Sequence, residues 1–392
     1  MQATAILSFG LVANLLPLMT FAAALPQIAA EWGLSAGEAG WIGGIYFAGY
    51  AAAVPILAGA TDRIDGRYLY VGCALLGTAA SFAFALGADG FLTALILRLI
   101  GGVAVAGVHM PGLKLLIDRT TGAMQGRGAA VYTSSYAAGN SVSFLVAGIV
   151  DAAFGWRAAF IAAGIGPLLS IAALWLLKPA TPVHNETKRP LLEMAPLLRN
   201  RALMAYVIAF AGNTWEVFAV RVWFVACLSW TLSLPGNALP LPALGVVAGI
   251  ASLAGVPASI VVAELASRYG RRRLIVATCF ISVAVCLALA ATAGGPILIV
   301  LSLLVLVQIT SFADVGALAG GAVAAADPAR RGAALALYAL VGFASGFAGP
   351  VVVGSTLDWF GGARSIAGWE AAFAVMAIGS AVAAWAVRYA RD

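Results

Sequence analysis

The sequence predicts an all-α integral membrane protein with twelve transmembrane helices, arranged as two parallel six-helix repeats with both termini in the cytoplasm. Three observations support this fold class: few charged residues, recurring apolar segments of membrane-spanning length, and short motifs that repeat between the two halves. Of the 392 residues, 62% are hydrophobic and 10% are charged, whereas a soluble globular domain usually has about 25% charged residues. A water-soluble surface cannot be built from this composition, so lipid is the expected solvent.

Apolar segments recur along the whole chain, and each is close to the roughly 20 residues that a helix needs to cross about 30 Å of hydrocarbon. In the first half they lie near 5–29, 40–60, 68–87, 91–117, 128–150 and 157–177. In the second half they lie near 202–228, 242–263, 273–292, 296–320, 332–354 and 367–387. We number them as spans 1 to 12. The first segment is expected to be span 1 and not a signal peptide, because it lacks a basic leader and a clear cleavage site.

The distribution of lysine and arginine predicts the orientation, because these residues are retained in short cytoplasmic loops. With the N-terminus inside, the outer loops contain only Arg157 and Arg364, and the cytoplasmic loops contain most of the other basic residues. This asymmetry and contact with anionic inner-leaflet lipid explain the net charge of +6, which therefore gives no support for nucleic-acid binding. We expect a multi-pass protein of the bacterial inner (plasma) membrane.

No metal, cofactor or disulfide is predicted. The cysteines all fall within predicted spans, where a buried thiol behaves as a small apolar group. They are Cys73, Cys227, Cys279 and Cys286. The sequence has no CxxC pair and no HExxH motif. An enzyme is not expected, because the spans contain no paired catalytic set.

Three short motifs recur at nearly equal offsets, which indicates a tandem duplication. Residues 155–160 (GWRAAF) recur as 368–373 (GWEAAF), 127–130 (RGAA) recur as 331–334, and Arg63 corresponds to Arg268. Because each copy has an even number of spans, the copies share one orientation, as in transporters whose halves rock about a midplane site. We predict an N-terminal bundle (1–177), a cytoplasmic linker (178–201) and a C-terminal bundle (202–392).

The loop after span 2 carries a family resemblance. Its sequence, Asp62-Arg63-Ile64-Asp65-Gly66-Arg67, is similar to the DRxGR signature of the major facilitator superfamily, with Asp65 as an extra residue and Ala58 where the family usually has glycine. In the second copy Ser267 replaces the aspartate, and Arg268, Gly270 and Arg271 remain. Arg98, followed by Gly101 and Gly102, resembles the span-4 signature of the family.

This resemblance covers the whole chain and implies a twelve-helix secondary transporter that works by alternating access. Span 5 lacks the GxxxGPxxGG pattern of the drug/proton antiporters, and the chain looks most similar to small-anion carriers related to cyanate and nitrate transporters. The resemblance also implies a gating motif formed by Asp62, Arg63, Gly66, Arg67 and Arg268. We expect Asp62 to dock against the start of span 11, where the helix dipole favours a carboxylate.

An ionisable side chain within hydrocarbon costs at least about 2.5–3.5 kcal/mol on insertion scales, so each one needs a partner or a water-filled cavity. Those within the predicted spans are Arg98, His109, Lys114, Glu216, Arg221 and Asp314. Arg98 and His109 share one face of span 4, because eleven residues at about 100° each return to within about 20°. That face is the predicted cavity wall, whereas Lys114 is expected to reach the cytoplasmic interface.

The repeat relates two titratable residues, because the offset from Arg63 to Arg268, added to His109, gives Asp314. A pseudo-two-fold axis would bring these positions close together across a central cavity. We expect Asp314 to carry a coupling proton, with Glu216 as the other candidate, and His109 to bind the anion or complete the proton path. The alternative is an ion pair that locks the two halves together.

Further polar side chains complete the predicted solute site. The residues proposed to contact solute are Asn14, Arg98, His109, Tyr136, Asn213, Arg221 and Gln308. Some of these side chains have an alternative role in interhelical hydrogen bonds, and Arg221 has one as an outer-leaflet arginine that reaches the interface.

The sequence therefore predicts a monomeric secondary active transporter, coupled to protons, for a small anionic solute, since cations outnumber carboxylates within the spans. Two alternatives remain open. One is proton-driven efflux of apolar or cationic compounds, in which Glu216 attracts the cation. The other is a non-transporting scaffold or sensor, which has no need for six buried ionisable residues.

Overall fold

The computed structural model describes residues 2–60, 64–177, 195–327 and 330–390, and the regular structure in these ranges is α-helical. In the first half the helices are Gln2–Asn14 (α1), Thr20–Trp32 (α2), Ala36–Ala60 (α3), Gly66–Gly87 (α4), Phe91–Ile117 (α5), Ala123–Phe154 (α6) and Trp156–Leu174 (α7). In the second half they are Ala195–Leu198 (α8), Arg201–Leu232 (α9), Leu244–Tyr269 (α10), Arg271–Ala291 (α11), Ile297–Ala313 (α12), Val315–Ala325 (α13), Arg331–Trp359 (α14) and Ile366–Val387 (α15).

The helices confirm the predicted all-α, multi-span membrane fold. Eleven described helices are long and apolar enough to cross a membrane when α12 and α13 are counted as one, Ile297–Ala325. Span 1 consists of two shorter helices, α1 and α2. The observed bounds follow the predicted spans, although α3, α6, α9, α10, α13 and α14 each extend about four to six residues further at one or both ends.

Two spans are interrupted, and each interruption has a local cause. In span 1 the helix gives way to turns over residues 15–19, around Pro17, which has no N–H to donate and whose ring clashes with the preceding helical turn. In span 10 the interruption is at Asp314, whose backbone N–H contacts the carbonyl of Phe312 and not that of Thr310. Both interruptions leave backbone carbonyls within the membrane that need other donors.

The two halves meet along α3 and α14 and along α6 and α10. Glycines allow the helix backbones to approach closely there. A Cβ at Gly40 in α3 would lie 2.5 Å from the carbonyl oxygen of Pro350 in α14, and a Cβ at Gly148 in α6 would lie 2.6 Å from the backbone nitrogen of Val246 in α10. Both contacts lie near the end of the bundle that is predicted to face outward, so the halves are closed against each other there.

A carboxylate of the second half is hydrogen-bonded to the first half at the same end. Asp358, in the last turn of α14, accepts hydrogen bonds from the backbone N–H groups of Ala36 (2.9 Å) and Gly37 (2.7 Å), which begin α3. A helix N-terminus carries free N–H groups and a partial positive charge, so a carboxylate is stabilised there. Within the first half, Ser35 and Glu38 form a capping box on the same helix. The Ser35 backbone N–H donates to the Glu38 carboxylate (2.9 Å), and the Glu38 backbone N–H donates to the Ser35 hydroxyl (3.1 Å).

We expect Asp358→Asn to loosen this closure, because the amide keeps the shape of the side chain but loses the charge that strengthens both bonds. A loss of about 1–2 kcal/mol corresponds to a population change of about 5- to 30-fold. The measurement is the rate at which an impermeant maleimide, added to whole cells, labels Val222→Cys, a buried position next to Gly43.

Glu38→Gln is the matched control, because it removes a charge from the same helix terminus without touching the bond between the halves. Labelling should rise in Asp358→Asn and stay near the parent rate in Glu38→Gln. Equal rates in all three proteins would show that Asp358 does not hold the outer end closed.

Candidate functional site

Aromatic side chains from both halves meet near the middle of the bundle. We define the central cluster as Tyr50 (α3), His109 (α5), Tyr136 (α6) and Phe343 (α14). The hydroxyl of Tyr50 lies 2.6 Å from Nδ1 of His109 in a hydrogen bond, and the rings of His109 and Tyr136 are stacked with centroids 5.1 Å apart. Phe343 joins the cluster from the other half, 4.1 Å from Tyr50 between ring centroids.

Arg221 in α9 lies beside this cluster without a counter-ion. The residue is 2% exposed, its guanidinium carbon lies 5.0 Å from the ring centroid of Phe312, and Tyr136 of the other half lies within electrostatic range of it. Within the described ranges no hydrogen bond or ion pair is formed by Arg221, and its Nε is buried without a partner. A buried charge in this state is costly unless another group supplies the compensation.

Arg98 has a different environment. Its guanidinium donates to the carbonyls of Pro17 (2.9 Å), Leu18 (3.0 Å) and Ile42 (3.4 Å), and its Cζ lies 4.4 Å from the ring centroid of Tyr46. Two of these carbonyls belong to the interruption in span 1. In this conformation Arg98 therefore holds the interrupted helix, and its predicted contact with solute is not part of the observed geometry.

Two predicted solute residues, Asn14 and Gln308, lie within separate halves. The Asn14 amide donates to the hydroxyl of Ser170 and to the carbonyl of Gly10 (3.0 Å). It lines a small cavity with Arg98, about 20 Å³ in volume, which is room for about one water molecule. The Gln308 amide donates to Ser252 (3.1 Å), and its Oε1 is buried without a partner.

The two carboxylates lie together inside the second half. Glu216 in α9 is fully buried and accepts hydrogen bonds from Ser282 of α11 (2.5 Å) and from Ser380 of α15. Asp314 accepts from the Asn213 amide (2.7 Å) and from the Cys279 thiol (3.4 Å). Neutral donors therefore bind both carboxylates, and the two acidic groups interact electrostatically with each other.

The structure does not bring His109 and Asp314 together, although the repeat relates their positions. His109 contacts Tyr50, Tyr132 and Tyr136 in the first half, whereas the hydrogen bonds of Asp314 lie in the second. The predicted proximity is absent because α12 ends at Asp314 and turns that carboxylate toward α9 and α11.

Part of the predicted gating motif is described. Gly66 begins α4, and the backbone N–H of Arg67 donates to the carboxylate of Asp65 (2.9 Å), which caps that helix. The Arg67 guanidinium donates to the carbonyl of Leu177 (3.3 Å). Arg268 forms an exposed ion pair with Glu264 (2.7 Å). Asp62 and Arg63, and residues 178–194 of the predicted linker, lie outside the described residues.

Sequence reasoning missed several contributors. Tyr50 and Phe343 belong to the central cluster, and Ser282 and Ser380 bind Glu216. Their residue types are common in membrane spans, so composition gave no signal for them. Asp358 did carry a signal, since it is an acidic residue near the end of an apolar span.

Comparisons with known proteins agree with this architecture. The chain matches the sequence profile of the Major Facilitator Superfamily over residues 7–323 and again over 240–392. A bacterial homologue of the human lysosomal transporter Spinster, solved in an inward-facing and occupied conformation, superposes with a TM-score of 0.80 at 14% identity, over 99% of this chain and 95% of that one. The nucleoside transporter NupG superposes with a TM-score of 0.78 at 15% identity, over 99% and 98% of the two chains.

One curated relative matches part of the sequence. The niacin transporter NiaP of Acinetobacter baylyi is 28% identical over 135 residues, which is 34% of this chain and 30% of that protein. The match thus spans about a third of each chain. The structural likenesses, at about 14–15% identity, show a shared fold.

We expect Arg98→Ala to destabilise the protein by at least about 2 kcal/mol, because each carbonyl left without a donor costs about 1–3 kcal/mol. Arg98→Lys should fall between Arg98→Ala and wild type, since a lysine keeps the charge but loses the planar fork. The measurement is thermal unfolding of purified protein in detergent.

Arg268→Ala provides the control, because its exposed pair with Glu264 is worth about 0.3–0.5 kcal/mol. If Arg98→Ala is no less stable than Arg268→Ala, Arg98 does not support the interrupted first span.

Proposed function

This chain belongs to the Major Facilitator Superfamily, and we propose that it transports a small anionic solute across the membrane by alternating access, coupled to protons. The family and the structural neighbours are those of a transporter and not of an enzyme. No cofactor or nucleic acid takes part in this proposal. The partners are the solute, protons and the surrounding lipid, and the unit is a monomer in the inner membrane.

The observation that carries the proposal is the buried and uncompensated Arg221. Within the described residues no carboxylate pairs with its guanidinium, so a bound anion would provide the missing charge. Guanidinium groups bind carboxylates through paired, charge-assisted hydrogen bonds. The side chain lies where helices of both halves meet, so both halves would contact a solute held there.

The rings around Arg221 favour a flat organic anion over a small inorganic one. Tyr136, within electrostatic range of the guanidinium, contacts the rings of His109 and Phe343, and offset stacking on such faces stabilises an aromatic ligand. NiaP, similar to this chain over a third of its length, is a niacin transporter, and niacin is a pyridine carboxylate. We therefore propose an aromatic carboxylate as the solute class.

The alternative of cation efflux requires an acidic group at the solute site. Glu216 was the sequence candidate for that role, but it is fully buried inside the second half, where Ser282 and Ser380 bind both of its oxygens. The charged side chain that we propose to face the solute is Arg221, which is positive. We therefore favour an anionic solute.

The solute class is tested with a matched pair of compounds, a pyridine carboxylate and its uncharged carboxamide, in proteoliposomes with an imposed pH gradient. We expect uptake of the labelled carboxylate, with no competition from the carboxamide. Arg221→Gln should weaken carboxylate uptake about 10- to 100-fold, because one charge-assisted contact is worth about 1.5–3 kcal/mol.

Arg157→Gln is the control for loss of a positive charge, because Arg157 is an exposed residue paired with Glu31. Equal competition by the carboxamide, or unchanged uptake in Arg221→Gln, would show that Arg221 does not bind the solute. Transport of amphipathic cations instead would support the efflux alternative, and no flux of any compound would support a scaffold.

For the coupling step we expect Asp314→Asn to abolish accumulation driven by a pH gradient and to preserve solute exchange between equal pools. Exchange needs the halves to reorient but needs no net proton movement, and a buried carboxylate relieves the cost of its charge by protonation. Glu216→Gln is the comparison. If Asp314→Asn still accumulates solute and Glu216→Gln does not, Glu216 carries the proton.

A further inference from the structure

The interruption at Asp314 brings several oxygen atoms to one point inside the second half. The last turn of α12 presents backbone carbonyls that lack their usual helical donors, while the dipoles of α12 and α13 oppose each other because α13 begins at the next residue. The Asp314 carboxylate lies at this same point, 2% exposed.

The amide nitrogen of Asn213, which is the positive end of the amide group, lies at this point. Its Nδ2 donates both to the carbonyl of Ser311 (2.6 Å) and to the carboxylate of Asp314 (2.7 Å). Its Oδ1 has no hydrogen-bond partner although the residue is 2% exposed, and the Ser311 hydroxyl is buried and unpartnered too. A buried polar atom without a partner costs about 1–3 kcal/mol, so this arrangement leaves polar oxygens available for another group.

Rotation of the Asn213 amide by half a turn exchanges its nitrogen and oxygen. The amide oxygen, the Ser311 carbonyl and the Asp314 carboxylate would then converge on one point. Oxygens of these three types are the ligands that hard cations prefer, and interrupted transmembrane helices use their free carbonyls to coordinate Na⁺. One carboxylate with neutral oxygens suits a monovalent ion.

The surroundings contribute no positive charge. In the described parts of the chain, neither Asp314 nor Glu216 forms an ion pair with a lysine, arginine or histidine. The titratable groups that face the two carboxylates are Cys279 and Cys286 of α11 and Tyr338 of α14. A cation at this point would therefore be held by the carboxylates without competition from a fixed charge.

We infer that Asn213, Ser311 and Asp314 form a sodium site, at which Na⁺ and the coupling proton compete for Asp314. The inference rests on the proposed function only in that the same carboxylate couples transport. Binding of the ion itself requires no solute and no membrane.

The test is saturable binding of radioactive sodium to purified full-length protein in detergent, without solute and at mildly alkaline pH, with choline holding the ionic strength. Unlabelled Na⁺ should displace the label, and K⁺ should do so about 10-fold less well. Asp314→Asn and Asn213→Ala should each weaken binding by about 10-fold or more, as expected for loss of a ligand to a charged group.

Asn140→Ala is the matched control. Asn140 is a fully buried asparagine of α6 whose amide also donates to a backbone carbonyl, that of Tyr136 (2.7 Å), and whose Oδ1 is likewise unpartnered. It contacts no carboxylate, so its replacement should leave sodium binding unchanged. Asp314→Asn is isosteric, and a single symmetric gel-filtration peak for each variant shows that it is folded.

No saturable binding by the wild type, or an equal loss in Asn140→Ala and Asn213→Ala, would overturn the sodium site. Proton-driven accumulation in a protein that binds no sodium would overturn the site and leave the proposed function intact. Sodium binding in the wild type, with solute accumulation retained in Asp314→Asn, would uphold the site and overturn the coupling role.

Discussion

Hydrocarbon offers no hydrogen bond to a backbone carbonyl, and this constraint determines where the polar side chains of this protein lie. Spans 1 and 10 are each interrupted, and each interruption has a partner from another helix. In span 1 the Arg98 guanidinium binds two carbonyls that lack helical donors. In span 10 the Asn213 amide binds the Ser311 carbonyl. Both side chains thus supply donors that the interrupted helices lack.

Most of the fold was predictable from the sequence, because the length and spacing of apolar segments report directly on the thickness of the membrane. Neither interruption was predicted: span 1 was expected to be continuous through Pro17, and no residue type signals the interruption at Asp314. The pairing of Asn213 with Asp314 was also not predictable. It depends on the rotation of α9 about its own axis, which the sequence does not specify because α9 is buried on most sides.

Only part of the candidate site was predicted, because the sequence does not specify which neighbouring group a side chain meets. Arg98 and His109 share a face of α5, as the helical period predicts, yet that face crosses two environments along its length. At one level Arg98 binds carbonyls of the interrupted span 1, and at the other His109 is hydrogen-bonded to Tyr50 of the same half. Periodicity assigns a direction to a side chain, whereas its partner depends on what the neighbouring helix presents at that depth.

Arg221 and Asp314 carry opposite formal charges within one half, yet neither is paired with the other. If the arginine takes up one monovalent anion while the aspartate takes up one proton, the loaded protein has the same net charge as the empty one. Both forms then reorient without moving charge through the electric field, which otherwise acts with about 2.3 kcal/mol per elementary charge at 100 mV. Such a cycle would be electroneutral and would run at the same rate in polarised and depolarised membranes.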